Sequence, residues 1–371
     1  MTPVPMIDLR PALAAVEPEW RRLERAVYER MHFILGPQVR AFEGQFAQAM
    51  GAPHAVGVGS GTAAIEICLR AAGVAGEVLT SAMTAPFTGV AILAAGATPR
   101  FADIDPETLL LDPDDAANRM TRRTGALLPV HLYGQPCRID RFRALARDAG
   151  IPLVQDACQA HGARYQGQPL TRFSPYVAYS FYPTKNLGCL GDGGAVTTGS
   201  ARVAGLVRSL RDGGRDPNAK GLRVQISHRA ATNARLDELQ ACLLSALLPH
   251  LDAWNAARAQ IARLYDEALA GCPGVGLVRR HACSVCHLYV IRAARRERLR
   301  TYLAERGIAT GVHYPAPLHL HPAFAGNGLR RGDLPHAERA AREIVSLPLY
   351  PFLAADDAAR VAAAIRAFYT K

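Results

Sequence analysis

Residues 176–198 read YVAYSFYPTKNLGCLGDGGAVTT, two apolar runs joined by a turn that carries Lys185. The runs Tyr176–Phe181 and Gly194–Thr198 have the unbroken apolar character of strands buried on both faces. Upstream lie five more of the same kind: His54–Val58, Glu77–Ser81, Pro99–Ile104, Ala126–Leu132 and Pro152–Asp156. Helical stretches separate several of them, namely Thr62–Ala72, Pro86–Ala95 and Arg141–Ala149. Parallel neighbours need a helical crossover, so this alternation implies a largely parallel sheet. The expected fold class is α/β, with one large domain built on a mostly parallel seven-stranded sheet.

The flanks read differently. The first 50 residues suggest two helices, Glu17–Phe33 and Val39–Met50, broken at Gly36-Pro37. After the last strand a helical zone runs from Leu236 to about Leu269. Then come a strand (His287–Ile291), a helix (Glu297–Arg306), a loop (Thr310–Pro317) and two helices (Pro335–Ile344 and Asp356–Phe368). A chain of 371 residues exceeds what one core usually serves. The expected division is a large domain over residues 1–250, N-terminal helices included, and a small C-terminal α+β domain over residues 251–371.

Composition narrows the function. Hydrophobic residues make up 49% and charged residues 20%, which marks a globular chain. No stretch approaches the roughly 20 apolar residues of a membrane helix, and the first ten residues lack a secretory pattern. A cytoplasmic protein without a membrane partner is expected. The 8 cysteines are scattered and do not suggest a disulfide framework. Cys283 and Cys286 form a CxxC flanked by His281 and His287, but no second ligand pair accompanies them, so no metal is expected. The net charge of +11 favours an acidic partner: a phosphorylated cofactor, a nucleotide-linked substrate or nucleic acid. Nucleic acid is disfavoured, because no basic stripe interleaved with aromatics appears. Of 43 basic residues only Lys185, Lys220 and Lys371 are lysines. Arginine keeps its proton, whereas lysine can be tuned to react as a free amine. Lys185, in Gly-rich and apolar surroundings, therefore asks for a chemical reason.

Ligands of open α/β sheets bind at the carboxyl ends of strands. Gly59-Ser60-Gly61-Thr62-Ala63-Ala64 follows the first strand and opens a helix, where free N–H groups attract phosphate. Ser60 or Thr62 could equally be an ordinary cap. Asp156 ends its strand and could hold a pyridine nitrogen, cap a helix or bind a metal. Lys185 sits on the turn after Ser180-Phe181, and Ser180 is placed to donate to a phosphate. Gly191-Asp192-Gly193-Gly194 is read as structural, with glycines that permit tight packing. Together these features offer a phosphate cradle, a ring-nitrogen partner and a reactive amine, the set that pyridoxal 5′-phosphate demands of a protein.

The chain resembles the DegT/DnrJ/EryC1/StrS family of PLP-dependent sugar aminotransferases. The resemblance rests on Ser60-Gly61-Thr62, His131-Leu132-Tyr133-Gly134, Asp156-Ala157-Cys158-Gln159-Ala160-His161-Gly162-Ala163, Ser180 to Gly188, Gly191 to Gly194, and Asn233 to Gln240. Phe33-Ile34-Leu35-Gly36-Pro37, His313-Tyr314-Pro315 and Ser346-Leu347-Pro348-Leu349 also fit. It implies a fold-type I PLP-dependent transferase and a homodimer with its active sites at the subunit interface. Lys185 would be the Schiff-base lysine, and Asp156 would hold the pyridine nitrogen. Gln159 would lie against the cofactor ring or near its hydroxyl. Thr62 and Ser180, with the N–H groups of Gly61 and Ala63, would hold the phosphate. Asn233 would reach the phosphate in the partner subunit, and His313 and Tyr314 would sit near the sugar. The implied reaction moves an amino group from L-glutamate or L-glutamine to a 3-keto or 4-keto deoxysugar carried on a nucleoside diphosphate. A cyclitol or other non-nucleotide ketone, or a non-catalytic sensor that binds PLP or a sugar nucleotide, are the alternatives.

Some positions depart from the family pattern. The usual ring-stacking aromatic falls at Ala85, with Phe87 two residues on, so either Phe87 stacks or the ring face is covered differently. Gln155 stands where Glu is usual, Cys158 where Ala is usual, and Cys286 where an aromatic is common. These departures touch the substrate pocket more than the chemistry. Relatives with histidine for the lysine are sugar dehydratases, and Lys185 disfavours that reading.

Overall fold

The computed structural model describes residues 2–370. Two helices come first, α1 (Arg10–Arg30) and α2 (Pro37–Ala49). The large unit continues as β1 (His54–Val58), α3 (Gly61–Ala71), β2 (Glu77–Ser81), α4 (Pro86–Ala94), β3 (Thr98–Ala102), α5 (Pro113–Arg119), β4 (Thr124–Leu128), α6 (Ile139–Asp148) and β5 (Gln155–Asp156). A two-rung hairpin, β6 (Arg164–Tyr165) with β7 (Gln168–Pro169), precedes β8 (Val177–Ser180), β9 (Gly194–Thr198) and α7 (Ala201–Leu210). The order across the sheet is β3-β2-β4-β5-β8-β9-β1. Parallel bridges Leu127–Leu153 and Val130–Asp156 join the β4 and β5 segments. Only β9 runs antiparallel, against both β8 and β1. The expected seven-stranded, mostly parallel sheet is what forms, and six of its strands deliver their carboxyl ends to one edge.

Helices cover both faces. One core packs α2 and α8 (Glu238–Leu247) on the sheet through Phe42, Phe46, Tyr179 and Phe181. The other packs α3 and α7 on it through Ile65, Ile67, Val203 and Val207. Across the first core, Glu238 accepts from the N–H groups of Gln38 (3.0 Å) and Val39 (2.8 Å) and so caps α2. A side chain at Gly36 would meet that carboxylate at 2.6 Å, which is why glycine precedes Pro37. Two motifs 200 residues apart are thereby one packing unit.

Helix α1 starts seven residues earlier than Glu17 and stops at Arg30 rather than Phe33. Pro11 suits its first turn, where an N–H is dispensable, and Met31 (φ 50°) ends it in the left-handed conformation. The long helical zone divides at a 3-10 turn, Leu248–His250, that contains Pro249. Helix α9 (Leu251–Leu269) then belongs mainly to a second core.

That second core carries a three-stranded antiparallel sheet, β10 (Val275–Leu277), β11 (Tyr289–Ala293) and β12 (Ile344–Leu347). Around it pack α9, α10 (Arg296–Ala304), α11 (Pro335–Glu343) and α12 (Ala355–Thr370). Only β11 is foreseen from the sequence. β10 is too short to show a period, and β12 follows α11 without a break. The strand expected from His287 begins at Tyr289. Cys286 has φ 47°, and the N–H groups of Val285 and His287 bond instead to the carbonyls of Gly134 and Tyr133 in the large unit. Val4 pairs with Ile308 and packs on the second core, although it precedes α1. No helix among the described residues is long and apolar enough to cross a membrane.

Candidate active site

Along the edge where the parallel strands end lies a cavity of about 670 Å³. Lys185, Asp156, Gln159, Ser180, Gly61 and Thr62 line it from the large unit, and His313 and Tyr314 from the second. The aspartate, at the end of β5, and the lysine, on the turn after β8, face the same space.

Asp156 ends β5 and is almost fully buried. Its Oδ1 accepts from the Cys158 N–H (3.1 Å), and its Oδ2 accepts from the Thr88 hydroxyl (2.9 Å). Thr84, in the loop just before α4, lies 3.1 Å from Thr88 in that helix's first turn. The Thr88 proton is committed to the carboxylate, so Thr84 donates to Thr88. These bonds fix the plane of the carboxylate and leave lone pairs free toward the cavity.

Lys185 lies on a turn closed by its own N–H to the Tyr182 carbonyl (2.8 Å). Burial lowers the pKa of its ammonium, and the nearby Cys158 and Asp156 oppose that effect. Asn186, the next residue, pins the turn by donating to Asn255 (2.8 Å) and to the Val285 carbonyl (2.9 Å).

The first helix after β1 makes an anion cradle. Ser60 caps α3, its hydroxyl accepting from the Ala63 N–H at 3.1 Å. The Ala63 N–H is engaged by that hydroxyl, and Ala63 is not among the residues that line the cavity. Gly61 is pressed against Ser180 and Cys158, where a Cβ would meet Ser180 Cβ at 2.5 Å. This is a close approach that only glycine permits, beside two hydroxyls and a helix N-terminus. The donor set suits a phosphate, a carboxylate suits a ring nitrogen and a half-buried amine suits an aldehyde. The residues present fit pyridoxal phosphate.

Gln159 is held by the Tyr133 N–H (2.7 Å) on its Oε1 and donates to the Tyr314 hydroxyl (3.2 Å). Burial raises the Tyr314 phenol to about 12, so it stays protonated at neutral pH. His313 bonds Ser346 through Nδ1 (2.8 Å), and its carbonyl accepts from the Tyr133 hydroxyl (2.5 Å). Burial lowers the His313 imidazole to about 4. Asn233 lies apart: it is exposed, pairs with Asp212 along the backbone and does not reach this cavity within one chain.

Ala85 and Phe87 both line the wall, Phe87 at the rim and 65% exposed. Of the other departures only Cys158 faces the cavity. Gln155 turns away and joins His131 to the Leu170 carbonyl (3.1 and 2.9 Å). Cys286 packs in the second core. Among the described residues no three metal-ligating side chains converge. Sequence reasoning missed Thr84, Thr88, His287, Asp192 and the N-terminal residues Met6 and Ile7, all at the cavity. The four-residue spacing of the threonines was a usable signal. His287 was hidden by its place beside the CxxC, and Asp192 was read as part of a structural glycine turn.

Residues 17–366 match the DegT/DnrJ/EryC1/StrS aminotransferase family. A Streptomyces venezuelae relative, dTDP-3-amino-3,4,6-trideoxy-alpha-D-glucose transaminase, is 43% identical over 98% of this chain and 95% of its own length. The crystal structure of S. venezuelae DesV in complex with a ketimine intermediate superposes with a TM-score of 0.95 at 41% identity, covering 100% of both chains. Bacillus subtilis NtdA, solved with bound cofactor PMP, gives a TM-score of 0.92 at 27% identity, covering 100% of this chain and 86% of that one. This chain belongs to the DegT/DnrJ/EryC1/StrS aminotransferase family.

Proposed function

We propose that the chain binds pyridoxal phosphate at this cavity and transfers the amino group of L-glutamate or L-glutamine to a keto sugar carried on a nucleoside diphosphate. The observation that carries the reading is the convergence of Lys185, Asp156 and the Gly61–Ser180 cradle on one cavity. When bound, the cofactor supplies an electron sink for the carbon beside the transferred nitrogen. Lys185 is the amine that engages it and that holds and moves a proton at Nζ. Burial lowers its pKa and so makes the free-amine form easier to reach. Asp156, oriented by Thr88 and Cys158, faces the ring nitrogen. Ser180, Thr62 and the Gly61 N–H would hold the phosphate.

Two facts support a nucleotide-linked sugar: the net charge of +11 and the dTDP sugar for which the Streptomyces relative is named. The same name supports C3 as the aminated carbon. The working unit is a homodimer in which Asn233 completes the partner's phosphate site. Support comes from the exposed apolar residues of the adjoining segment, Leu222 (92% exposed) and Ile226 (50%). A domain division near residue 250, with the segment up to Ile7 joined to the second domain, agrees with the two cores.

The test is a half-reaction. Purified chain loaded with pyridoxal phosphate and given L-glutamate should lose the cofactor's visible absorbance stoichiometrically and form 2-oxoglutarate. Lys185→Ala should bind the cofactor without that response. A Lys185→Ala chain that reacts like wild type sinks the assignment.

A further inference from the structure

We propose that His287 accepts, through Nε2, a hydrogen bond from a hydroxyl group of the ketone substrate. The inference rests on the aminotransferase reading above and adds a substrate contact to that site.

His287 lines the cavity and is 5% exposed. Its Nδ1 lies 3.0 Å from Asn186 Oδ1. The orientation of Asn186 follows from its neighbours. Its Nδ2 donates to the Val285 carbonyl (2.9 Å), which can only accept, and to Asn255 Oδ1 (2.8 Å). Asn255 is oriented in turn, because its Nδ2 donates to the His161 carbonyl at 3.0 Å. Asn186 Oδ1 is therefore an acceptor, and His287 Nδ1 must carry the hydrogen. In the neutral ring Nε2 then holds a lone pair.

The surroundings keep the ring neutral. Burial lowers the His287 pKa well below the usual histidine range, and Lys185, Arg258, His161 and His313, the charged and titratable groups around it, act in the same direction. The Nδ1 edge is turned to Asn186, which leaves the Nε2 edge for the cavity. No hydrogen bond reaches Nε2 from the described residues. Nε2 is not among the fully enclosed polar atoms that lack a partner, so it opens on the cavity and can accept from a ligand hydroxyl.

The ligand chemistry follows. An unprotonated Nε2 repels the carboxylates of an amino acid donor, and the donor's amino group is the one consumed at the Lys185 end. A sugar brings hydroxyl donors. His287 thus serves the sugar half-reaction and not the amino-acid half-reaction.

A suitable probe is the dTDP-linked 3-amino-3,4,6-trideoxyglucose for which the Streptomyces relative is named, since its one free ring hydroxyl is at C2. The variant His287→Asn keeps an amide group facing Asn186 and lacks an atom at the Nε2 position. His287→Gln carries its amide oxygen out to that position. Calorimetric affinity for the probe is measured in the Lys185→Ala background, and single-turnover rates are measured with Lys185 intact. His287→Asn should weaken probe binding and slow probe turnover by about 10-fold, the loss of one hydrogen bond. His287→Gln should recover part of that loss, and the L-glutamate rate and pyridoxal phosphate affinity should hold within about twofold. Equal loss in both half-reactions, or no loss in either, overturns the role of His287 and leaves the aminotransferase reading standing. A wild-type chain that reacts with L-glutamate yet neither binds nor deaminates the probe overturns the nucleotide-sugar reading and this inference with it.

Discussion

Gly61→Ala places a methyl group where the fold leaves no room for one. The new Cβ would lie 2.5 Å from Ser180 Cβ, 2.9 Å from Cys158 Sγ and 3.0 Å from Ser180 Oγ. Carbon atoms in contact sit roughly 3.5–4.0 Å apart, so Ser180 must retreat by about 1 Å. A hydroxyl moved that far leaves the roughly 2.5–3.0 Å range of an O–H···O bond. Losing one hydrogen bond to a charged group costs about 1.5–3 kcal/mol. At about 1.4 kcal/mol per decade, that is a rise of roughly 10- to 100-fold in the Kd for pyridoxal phosphate. Fluorescence titration of the cofactor-free chain measures it. Gly59→Ala is the matched control, since its Cβ first meets the Ala234 backbone at 3.4 Å, an ordinary contact. Its Kd should stay within about twofold of wild type. Denaturant unfolding of both variants separates a lost ligand contact from a lost fold. A Gly61→Ala chain that unfolds like wild type and binds the cofactor equally tightly would falsify the phosphate cradle.

Thr88→Val removes the hydroxyl on Asp156 and strands that of Thr84 without changing side-chain volume. The cofactor-free chain should lose about 2–4 kcal/mol of unfolding free energy in a guanidinium titration, and Thr88→Ser should lose much less. Mixing Lys185→Ala with Asn233→Ala chains should restore activity, because a mixed dimer holds one site with both native residues; no gain over the separate variants counts against an interface site. Burial holds the imidazoles of His131 (about 4), His161 (about 3) and His313 (about 4) below the ordinary histidine value near 6.5. On acidification the unfolded chain takes up those protons first. Their contribution is complete above about pH 6.5 and falls as pH drops toward 4, by about 1 kcal/mol per histidine between about pH 7.5 and 5.5. Among the described residues neither ring nitrogen of His161 has a hydrogen-bond partner, so His161→Phe should flatten the dependence, and an unchanged pH slope would show that this histidine is not held neutral.

The central sheet was legible because buried parallel strands write themselves as unbroken apolar runs, and each was bounded by a turn. The cradle, the carboxylate and the lysine were legible for a related reason: parallel strands align their carboxyl ends, so residues just after them share an edge whatever their separation in the chain. What was illegible depends on contacts between distant segments. Thr88 bonds Asp156 across 68 residues, and Asn186 bonds His287 across 101. Neither partner announces the other. β12 escaped because four residues flush with a helix carry no period of their own. The Ala63 N–H bonds the Ser60 hydroxyl, and the same six residues read equally well as a cap.

The scarcity of lysine gains its meaning from a comparison inside the site. Arg258 is buried and Lys185 is half-buried, and they flank one small void with Asn186 and Trp254. Burial lowers Arg258 only to about 10, so the guanidinium stays charged at neutral pH and serves as a fixed donor to the Leu349 carbonyl (3.0 Å). Burial acts on Lys185 too, from a lower starting value, so the amine form lies within easier reach. An arginine at position 185 could not give up its proton. Of the three lysines in the chain, Lys185 is the one that lines the site's cavity, where the proposed chemistry needs a charge that can come and go.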